Sequence, residues 1–496
     1  MKNYKFIYRT FLLLLVLTAC SEDFLEVEPT SLISAKQIAE IAEYNPAILG
    51  SLIDGLYFTM VDNGTGGTTR HNDFGQKGYD IWSDLQSGDM VLLNKIYGWY
   101  SDASDRTIFV DRTVTDLHYQ FWRYYYRLVF AANNIIASVS DPDGSEVPAL
   151  DEGRWNLGQA LAIRGYAYYH LATYLTTSYD AGAPLVPIYK HPDESQMPKS
   201  TQQEVFNLIV SDLTKAITYL DDFDRSSKAA ADKDIARALL AYTNAWLGDN
   251  QSLQNAFDLT KGIIDSGRFP VMTAEEVVGG FNNVQIPGWM WGADITPETG
   301  KGLISWWGVM DIYSYSYAWA GDTKGISQAL YDRIPEKDVR RTQFLFNPAS
   351  WANWTPFNKF YASKTIGGVT RIVTSDYLFM RISEMYLLHA EVAARLGREN
   401  DAKEALKGVL MHRLPDEEDL AFIDALSGND LLDEILYQIR LEHWGEGKAM
   451  AAIKRNKATV VFGTNHMDFP GVSFPYDDPA NTFEIPENEL LNNPNL

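Results

Sequence analysis

The chain has 496 residues, with 42 Lys and Arg against 65 Asp and Glu, which gives a net charge of −23 at pH 7. This acidity argues against nucleic acids and anionic lipid surfaces as partners, because both repel negative charge. Hydrophobic residues make up 46% of the chain and charged residues 22%, the composition of an ordinary globular protein, and the single cysteine excludes a framework of disulfides.

The amino terminus has the pattern of an export signal. Basic residues precede an apolar run over 11–17, which ends at Leu17-Thr18-Ala19-Cys20. The run is too short to span a bilayer, which needs about 20 residues. The Leu-x-Ala-Cys ending resembles the bacterial lipobox, so we expect a signal peptide over 1–19 and a lipid on Cys20. The alternative is an ordinary secretory signal that happens to contain a cysteine.

The next residues, 20–34, are acidic and contain Pro29, which predicts an extended tether. Beyond it, apolar residues recur at a spacing of three to four and predict helices, whereas the glycines of 61–80 predict a loop. In chain order the predicted helices are 35–45, one that begins at Pro46, 115–139, 153–177, 202–220, 235–247, 252–266, 382–396, 401–410 and 431–456.

Two of these helical pairs, 235–266 and 382–410, have short turns and mix small with large apolar residues. This is the contact pattern of tetratricopeptide repeats. We therefore predict a mainly α fold, with one domain over 35–496 and a scaffold of tetratricopeptide-like helical pairs at about 35–266 and 376–456.

The segment 267–375 lacks helical periodicity and is rich in Gly, Pro, Trp and Tyr. We predict an irregular insertion with a short strand at 370–373, and we expect binding residues there because loops on rigid scaffolds commonly carry them. Tyr313, Tyr315, Tyr317 and Trp319 alternate, which would place four rings on one face of an extended strand.

Such rings suit carbohydrate recognition, since sugar C–H faces stack on aromatic rings. The alternative is that they pack against the helices. The candidate ligand-binding residues are Trp82, Trp99, Tyr100, Trp307, Tyr313, Tyr315 and Trp319, with Asp311 or Asp322 hydrogen-bonding ligand hydroxyls and with Asp84 and Asp89 beside the earlier group.

No motif indicates catalysis. The eight histidines are scattered, and His170 and His389 lie within predicted helices, where a core position is the expected role. The sequence has neither a zinc motif nor a Gly-x-Ser-x-Gly turn. Glu384 and Glu391 share a helix face, but a glycosidase pair needs a cleft between its carboxylates, and we interpret these two as scaffold residues. We therefore expect a protein that is not an enzyme and has no metal or cofactor.

Several ordered segments resemble the SusD/RagB family of Bacteroidetes outer-membrane lipoproteins. The acidic residues after Cys20 resemble the family's segment for surface export. The other matching segments are Trp122 through Asn133-Asn134-Ile135-Ile136, Ala160 through Arg164-Gly165-Tyr166, Ala183-Pro184-Leu185-Val186-Pro187, Arg381 through Glu384-Met385-Tyr386-Leu387, and Ile485-Pro486 with Asn493-Pro494. One helix departs from the family pattern, because Lys448, Ala449 and Ala452 follow Glu446-Gly447 where the family has further Arg and Asp residues.

This resemblance implies a lipid-anchored protein on the cell surface that captures an oligosaccharide or polysaccharide. It also implies delivery of that ligand to a SusC-like TonB-dependent transporter in the outer membrane. Two alternatives remain open at this point: a surface glycoside hydrolase, and a binder of non-sugar cargo such as peptides.

Overall fold

A computed structural model describes residues 41, 47–113, 115–296, 299, 302–364 and 371–496. The predicted signal peptide, Cys20 and the tether lie outside these residues, as does the helix predicted over 35–45 apart from Ile41. Within the described ranges, no helix combines the length and apolar character needed to cross a membrane.

The first half of the fold consists of helices. They are α1 Ala47–Thr59, α2 Gln76–Gln86, α3 Ser101–Ser104, α4 Thr107–Val110, α5 Thr115–Val139, α6 Asp151–Leu175, α7 Gln202–Tyr219, α8 Lys233–Leu247 and α9 Asn250–Asp265. The helices predicted here from periodicity are confirmed, and 115–139 is confirmed at both ends. The loop prediction over 61–80 is wrong at its end, because α2 already begins at Gln76.

Local capping explains where several of these helices begin. Thr201 and Glu204 form a capping box at the start of α7. Asp232 and Asp249 each accept hydrogen bonds from backbone N–H groups at the start of α8 and α9. Between α6 and α7, Gly165 lies so close to Leu213 that an added Cβ would sit 3.0 Å from its side chain. Small residues thus let neighbouring helices approach closely.

The segment between α9 and the next long helix is irregular, as predicted. It contains the short helices α10 Trp306–Met310, α11 Tyr317–Ala320 and α12 Gln328–Tyr331, and the 3₁₀ turns Glu276–Val278 and Val339–Gln343. Of the strand-like piece predicted at 370–373, residues 371–373 are described, and they contain an isolated β-bridge residue, Val373, rather than a strand.

The carboxyl-terminal part returns to helices. They are α13 Ile382–Arg395, α14 Glu399–Leu410, α15 Phe422–Ala425, α16 Gly428–Glu442, α17 Ala449–Arg455 and α18 Glu487–Asn492, with 3₁₀ turns at Glu417–Leu420 and Pro479–Asn481. The single helix predicted over 431–456 is wrong. Gly445 and Gly447 have φ angles of +79° and +73°, left-handed values that end α16 and separate it from α17.

Short antiparallel strand pairs fasten distant segments together. The strands are β1 Met90–Leu92, β2 Pro184–Pro187, β3 Lys199–Thr201, β4 Trp289–Ala293, β5 Lys324–Ile326, β6 Tyr377–Arg381, β7 Val460–Val461 and β8 Ser473–Phe474. They pair as β1 with β5, β2 with β3, β4 with β6 and β7 with β8. The fold is mainly α, with tetratricopeptide-like helical pairs, as predicted.

A buried ionic network joins the irregular segment to the helical scaffold. The Glu442 carboxylate, at the end of α16, pairs with Arg340 at 3.1 Å, with Arg413 at 2.7 Å and with Arg381 at 2.5 Å. These arginines and the carboxylate are all at most 2% exposed. The positive charges hold the pKa of Glu442 well below its ordinary value although burial opposes them.

Candidate ligand-binding surface

Two segments more than 200 residues apart meet beside the β1–β5 pair. Met90 lies opposite Ile326 and Leu92 opposite Lys324. The pairing continues past β1, because the Leu93 N–H donates to the Thr323 carbonyl at 2.7 Å and the Ile96 N–H donates to the Gly321 carbonyl at 3.2 Å. The loop after β1 therefore lies directly against the segment that precedes β5.

Asp322 fixes the conformation of that loop. Its carboxylate accepts backbone hydrogen bonds from Tyr97 at 2.7 Å, from Gly98 at 3.4 Å and from Trp99 at 3.0 Å. Asp322 is fully buried, and three N–H groups converge on one charged acceptor, so the loop is held rigidly. The candidate Trp99 consequently has a defined place next to the later aromatic segment.

Aromatic rings from both segments form two groups, one around Trp99 and one made of Tyr315 and Trp319. Trp99 stacks on His71, with ring centroids 5.0 Å apart and planes 10° apart. Tyr317 meets Trp99 edge to face at 5.7 Å and Tyr97 at 5.2 Å. Further along, the centroids of Tyr315 and Trp319 are 6.4 Å apart. The aromatic surface, as we call this set, comprises His71, Ile96, Tyr97, Trp99, Tyr315, Tyr317 and Trp319.

Much of this surface is open to solvent. Ile96 is 70%, Tyr97 56% and Trp319 37% exposed, whereas Trp99 and Tyr315 are half-buried. Large apolar side chains are rarely grouped on a protein surface without a partner, and such patches mark binding sites. The geometry therefore supports a ligand that lies flat against rings.

Two arginines border the same rings. The Arg70 guanidinium lies 5.6 Å from the Trp99 ring centroid, and the Arg371 guanidinium lies 4.1 Å from that of Tyr315. His71 contributes little positive charge, because partial burial lowers its pKa below the ordinary value. It also makes a short contact with the Tyr317 hydroxyl.

Four of the predicted ligand-binding residues lie in the interior instead. Trp82 and Trp307 are 0% exposed, Tyr100 1% and Tyr313 5%. Trp307 donates its indole N–H to the Ser375 carbonyl at 2.8 Å, and Tyr313 donates its hydroxyl to the Phe357 carbonyl at 3.2 Å. None of the four presents a ring face to solvent, so stacking on a ligand is open only to Trp99, Tyr315 and Trp319 among the candidates.

The expected strand over 313–319 is also wrong. The Ser316 hydroxyl accepts a hydrogen bond from the Trp319 N–H at 3.0 Å and starts α11, so the alternating rings do not share one face. The two aspartates expected to bind ligand hydroxyls accept hydrogen bonds from the protein backbone instead. Asp311 accepts from the Tyr313 N–H at 2.9 Å, and Asp322 holds the loop described above.

Asp84 and Asp89, expected beside the early aromatic group, are buried and have structural partners. Asp84 accepts from the Gly447 N–H at 3.1 Å, while Asp89 pairs with Arg440 at 2.6 Å. Sequence reasoning missed Arg70, His71, Ile96 and Tyr97. Their signal was the presence of charged and apolar side chains inside glycine-punctuated loops, where burial does not explain them.

The carboxylates considered for catalysis serve the scaffold. Glu384 accepts from the Tyr242 hydroxyl at 2.8 Å and lies 3.3 Å from Lys448. Glu391 pairs with Arg455 at 2.7 Å. His389 hydrogen-bonds Thr260 at 2.8 Å, as expected of a core histidine. In the described ranges, His, Cys, Asp and Glu side chains do not assemble into any group of three or more that could hold a metal.

A second aromatic cleft, of about 450 Å³, runs along α5. Trp122 and Tyr126 line it, and Phe130 projects into it with 49% of its side chain exposed. None of the candidate ligand-binding residues lines this cleft. The cleft is the natural rival location for a ligand and supplies matched control residues for experiments.

Two family models match the chain in order. One, described as "Starch-binding associating with outer membrane", matches residues 23–242, and one for the SusD family matches residues 342–496. The SusD-like protein P38 of Formosa agariphila is 25% identical over 93% of this chain and 94% of its own length.

Solved structures show the same fold. A SusD-like carbohydrate binding protein from Bacteroides vulgatus superposes with a TM-score of 0.74 at 21% identity, covering 91% of this chain and 97% of that protein. A SusD superfamily protein from Bacteroides thetaiotaomicron gives a TM-score of 0.71 at 20% identity, covering 90% and 98%. At these identities the structural likeness concerns the fold.

Proposed function

Because this chain belongs to the SusD/RagB family, we propose that it is a carbohydrate-binding protein that captures oligosaccharides on the aromatic surface. The observation that carries the proposal is the exposed rings of Tyr97 and Trp319 beside the rigidly held Trp99. Flat rings bind the C–H faces of sugars, and a loop fixed before binding loses little conformational entropy when the ligand arrives.

The proposed action is binding without bond cleavage. A glycosidase needs two carboxyl groups that face one another across a cleft and are free to exchange protons. Asp311 and Asp322, the two aspartates predicted to contact a ligand, instead accept backbone hydrogen bonds in the interior. The side chains exposed on this surface include aromatic rings, which bind a ligand by stacking.

Binding by the wild-type protein and its variants tests this proposal. We expect Trp99→Ala and Trp319→Ala each to weaken binding of a polysaccharide identified by affinity electrophoresis by about tenfold, which corresponds to the ~1.4 kcal/mol of one lost stacking contact. Phe130→Ala is the matched control, because it removes an exposed ring from the second cleft. If Phe130→Ala weakens binding and the tryptophan variants do not, the ligand lies in that cleft instead.

The same preparation distinguishes the alternatives. Release of reducing ends at enzymatic rates from any polysaccharide would establish a hydrolase and refute capture without cleavage. Saturable binding of peptides, with no polysaccharide bound, would establish a non-sugar cargo. We expect neither result.

We further propose that a lipid on Cys20 holds the protein on the outer face of the outer membrane, where it delivers its ligand to a SusC-like TonB-dependent transporter. The support is the lipobox pattern and the family membership. Cys20→Ala should release the protein from membranes while leaving binding in solution intact, and Ser21→Ala should leave it anchored. Copurification of the transporter with the tagged protein tests the second part.

A further inference from the structure

Neither arginine at the aromatic surface forms a salt bridge with another described residue. Elsewhere in the described residues, buried arginines such as Arg164 and Arg381 pair with carboxylates at 2.7 Å and 2.9 Å. Within the described ranges, however, no carboxylate comes within salt-bridge distance of the Arg70 or Arg371 guanidinium. Arg123 and Arg127 in the second cleft also lack a carboxylate partner among the described residues, so the feature that distinguishes the aromatic surface is Arg70 itself.

Arg70 also has unused hydrogen-bonding capacity. Its Nε is buried and has no hydrogen-bond partner among the described residues. The nearby Asp102 does not form an ion pair with it, and burial raises the pKa of Asp102 to about 6, with Arg70 opposing the rise. A buried guanidinium N–H needs an acceptor, which a ligand oxygen or a water can provide.

Each arginine is placed where a stacked ligand would reach it. Arg70 lies over the ring of Trp99 and Arg371 over that of Tyr315, so charged groups border two of the three ring candidates. The carboxylate of Asp322, by contrast, points inward to the backbone of the loop. Two cationic groups thus border the aromatic surface, and the acidic groups near it are Asp102, close to Arg70, and Asp322, beneath the loop. Guanidinium groups bind carboxylates and other oxyanions with two parallel hydrogen bonds.

We propose that the aromatic surface selects acidic glycans, in which Arg70 and Arg371 bind the carboxylates of uronic acids or the sulfate esters of the sugar. This inference rests on the proposed function and deepens it by naming the ligand class. Rings alone would accept neutral and acidic sugars equally, so the arginines supply the discrimination.

Matched pairs of polysaccharides test the proposal. Alginate and polygalacturonate are each compared with their carboxyl-reduced forms, and carrageenan is compared with its desulfated form, by affinity electrophoresis and calorimetry. We expect at least one acidic polymer to bind about tenfold or more tightly than its neutral counterpart, with affinity that falls as salt is added. Loss on carboxyl reduction identifies a uronate ligand, and loss on desulfation identifies a sulfated one.

Variants assign the effect to residues. Arg70→Gln and Arg371→Gln should each weaken binding of the acidic polymer about tenfold, and Arg371→Lys should retain part of it by keeping the charge. Arg398→Gln is the control, because Arg398 is an exposed arginine over the ring of Phe257 in the helical scaffold. It should bind as the parent does.

Selection of acidic glycans and capture on the aromatic surface are refuted by different results. The selection of acidic glycans is refuted if neutral counterparts bind as tightly as acidic polymers. It is also refuted if the arginine variants bind as the parent does. In both cases capture on the aromatic surface stands as long as Trp99→Ala still weakens binding. If neither neutral nor acidic polymers bind, or Trp99→Ala has no effect, the proposed function fails and this inference fails with it.

Discussion

Asp322→Asn should loosen the loop over 93–100 without removing any side chain that we propose to touch a ligand. Asparagine has nearly the same shape as aspartate, and its carbonyl oxygen can still accept from Tyr97 and Gly98. Its amide nitrogen then faces the Trp99 N–H, which is 3.0 Å from the second carboxylate oxygen, so two donors oppose one another. Loss of one hydrogen bond to a charged acceptor, with the donor left buried, costs about 2–3 kcal/mol.

The free-energy cost of the lost hydrogen bond should appear as more frequent opening of the loop, rather than as unfolding of the whole protein. Opening of the loop over 93–100 becomes about 30–150-fold more frequent, and its amide hydrogens exchange faster by the same factor. Asp376→Asn is the matched control, because this buried aspartate also joins two backbone N–H groups, those of Val284 at 2.7 Å and Ile295 at 2.9 Å, but in another part of the fold.

Ligand affinity provides the second measurement. A loop that is mostly open must be ordered on binding, so we expect Asp322→Asn to weaken capture by about tenfold or more, whereas Asp376→Asn should not. Unchanged exchange over 93–100 in Asp322→Asn, or unchanged affinity with faster exchange, would refute the reasoning that this carboxylate positions the loop for binding.

Three further predictions concern stability, measured by urea unfolding. Glu442→Gln should cost about 3–5 kcal/mol, because it leaves buried arginines without their partner; a cost under 1 kcal/mol would contradict this role. Burial lowers the pKa of Lys454 to about 7. Between about pH 7 and 10 this lysine is therefore protonated in the unfolded chain and neutral in the folded one, so the free energy of unfolding rises with pH in that window. Lys454→Met removes this effect and should stabilise the protein by about 2 kcal/mol more at pH 7 than at pH 9. An equal effect at both values would show that Lys454 keeps an ordinary pKa. Gly447→Ala should destabilise the protein far more than Gly471→Ala. Both glycines have φ angles above +70°, but a Cβ at Gly447 would lie 2.6 Å from Asp80, whereas a Cβ at Gly471 would contact nothing. Similar losses of stability in the two variants would contradict this steric explanation.

The long helices were predictable because burial of one face imposes a period on the sequence. Thr115–Val139 was located at both ends from that period alone. The failure at 431–456 has a specific cause: the apolar pattern continues through Gly445 and Gly447, but their left-handed φ angles interrupt the helix. Apolar periodicity predicts which side chains are buried. It does not predict a turn between two helices when both of them bury an apolar face.

The binding surface was predictable only in part, because aromatic residues serve the core and a ligand equally well. Trp99 and Trp82 are 17 positions apart and chemically identical, yet Trp82 is fully buried while Trp99 borders solvent. What separates them is tertiary structure: α2 carries Trp82 inward, whereas the Asp322 carboxylate holds the backbone of Trp99 at the surface. We predicted Asp322 as a ligand contact from the sequence. The pairing of β1 with β5 brings Asp322 beneath the loop, and no local sequence pattern indicates that pairing.

The orientation of Asp322 also matters for ligand selection. Its carboxylate faces inward and accepts N–H groups of the loop, so its oxygens do not line the face that a ligand would contact. Arg70 and Arg371 place two cationic groups beside the rings even though the whole chain is acidic. Net charge therefore predicts the repulsion of nucleic acid by the whole protein, whereas the proposed selection of acidic glycans depends on the local arrangement of Asp322, Arg70 and Arg371.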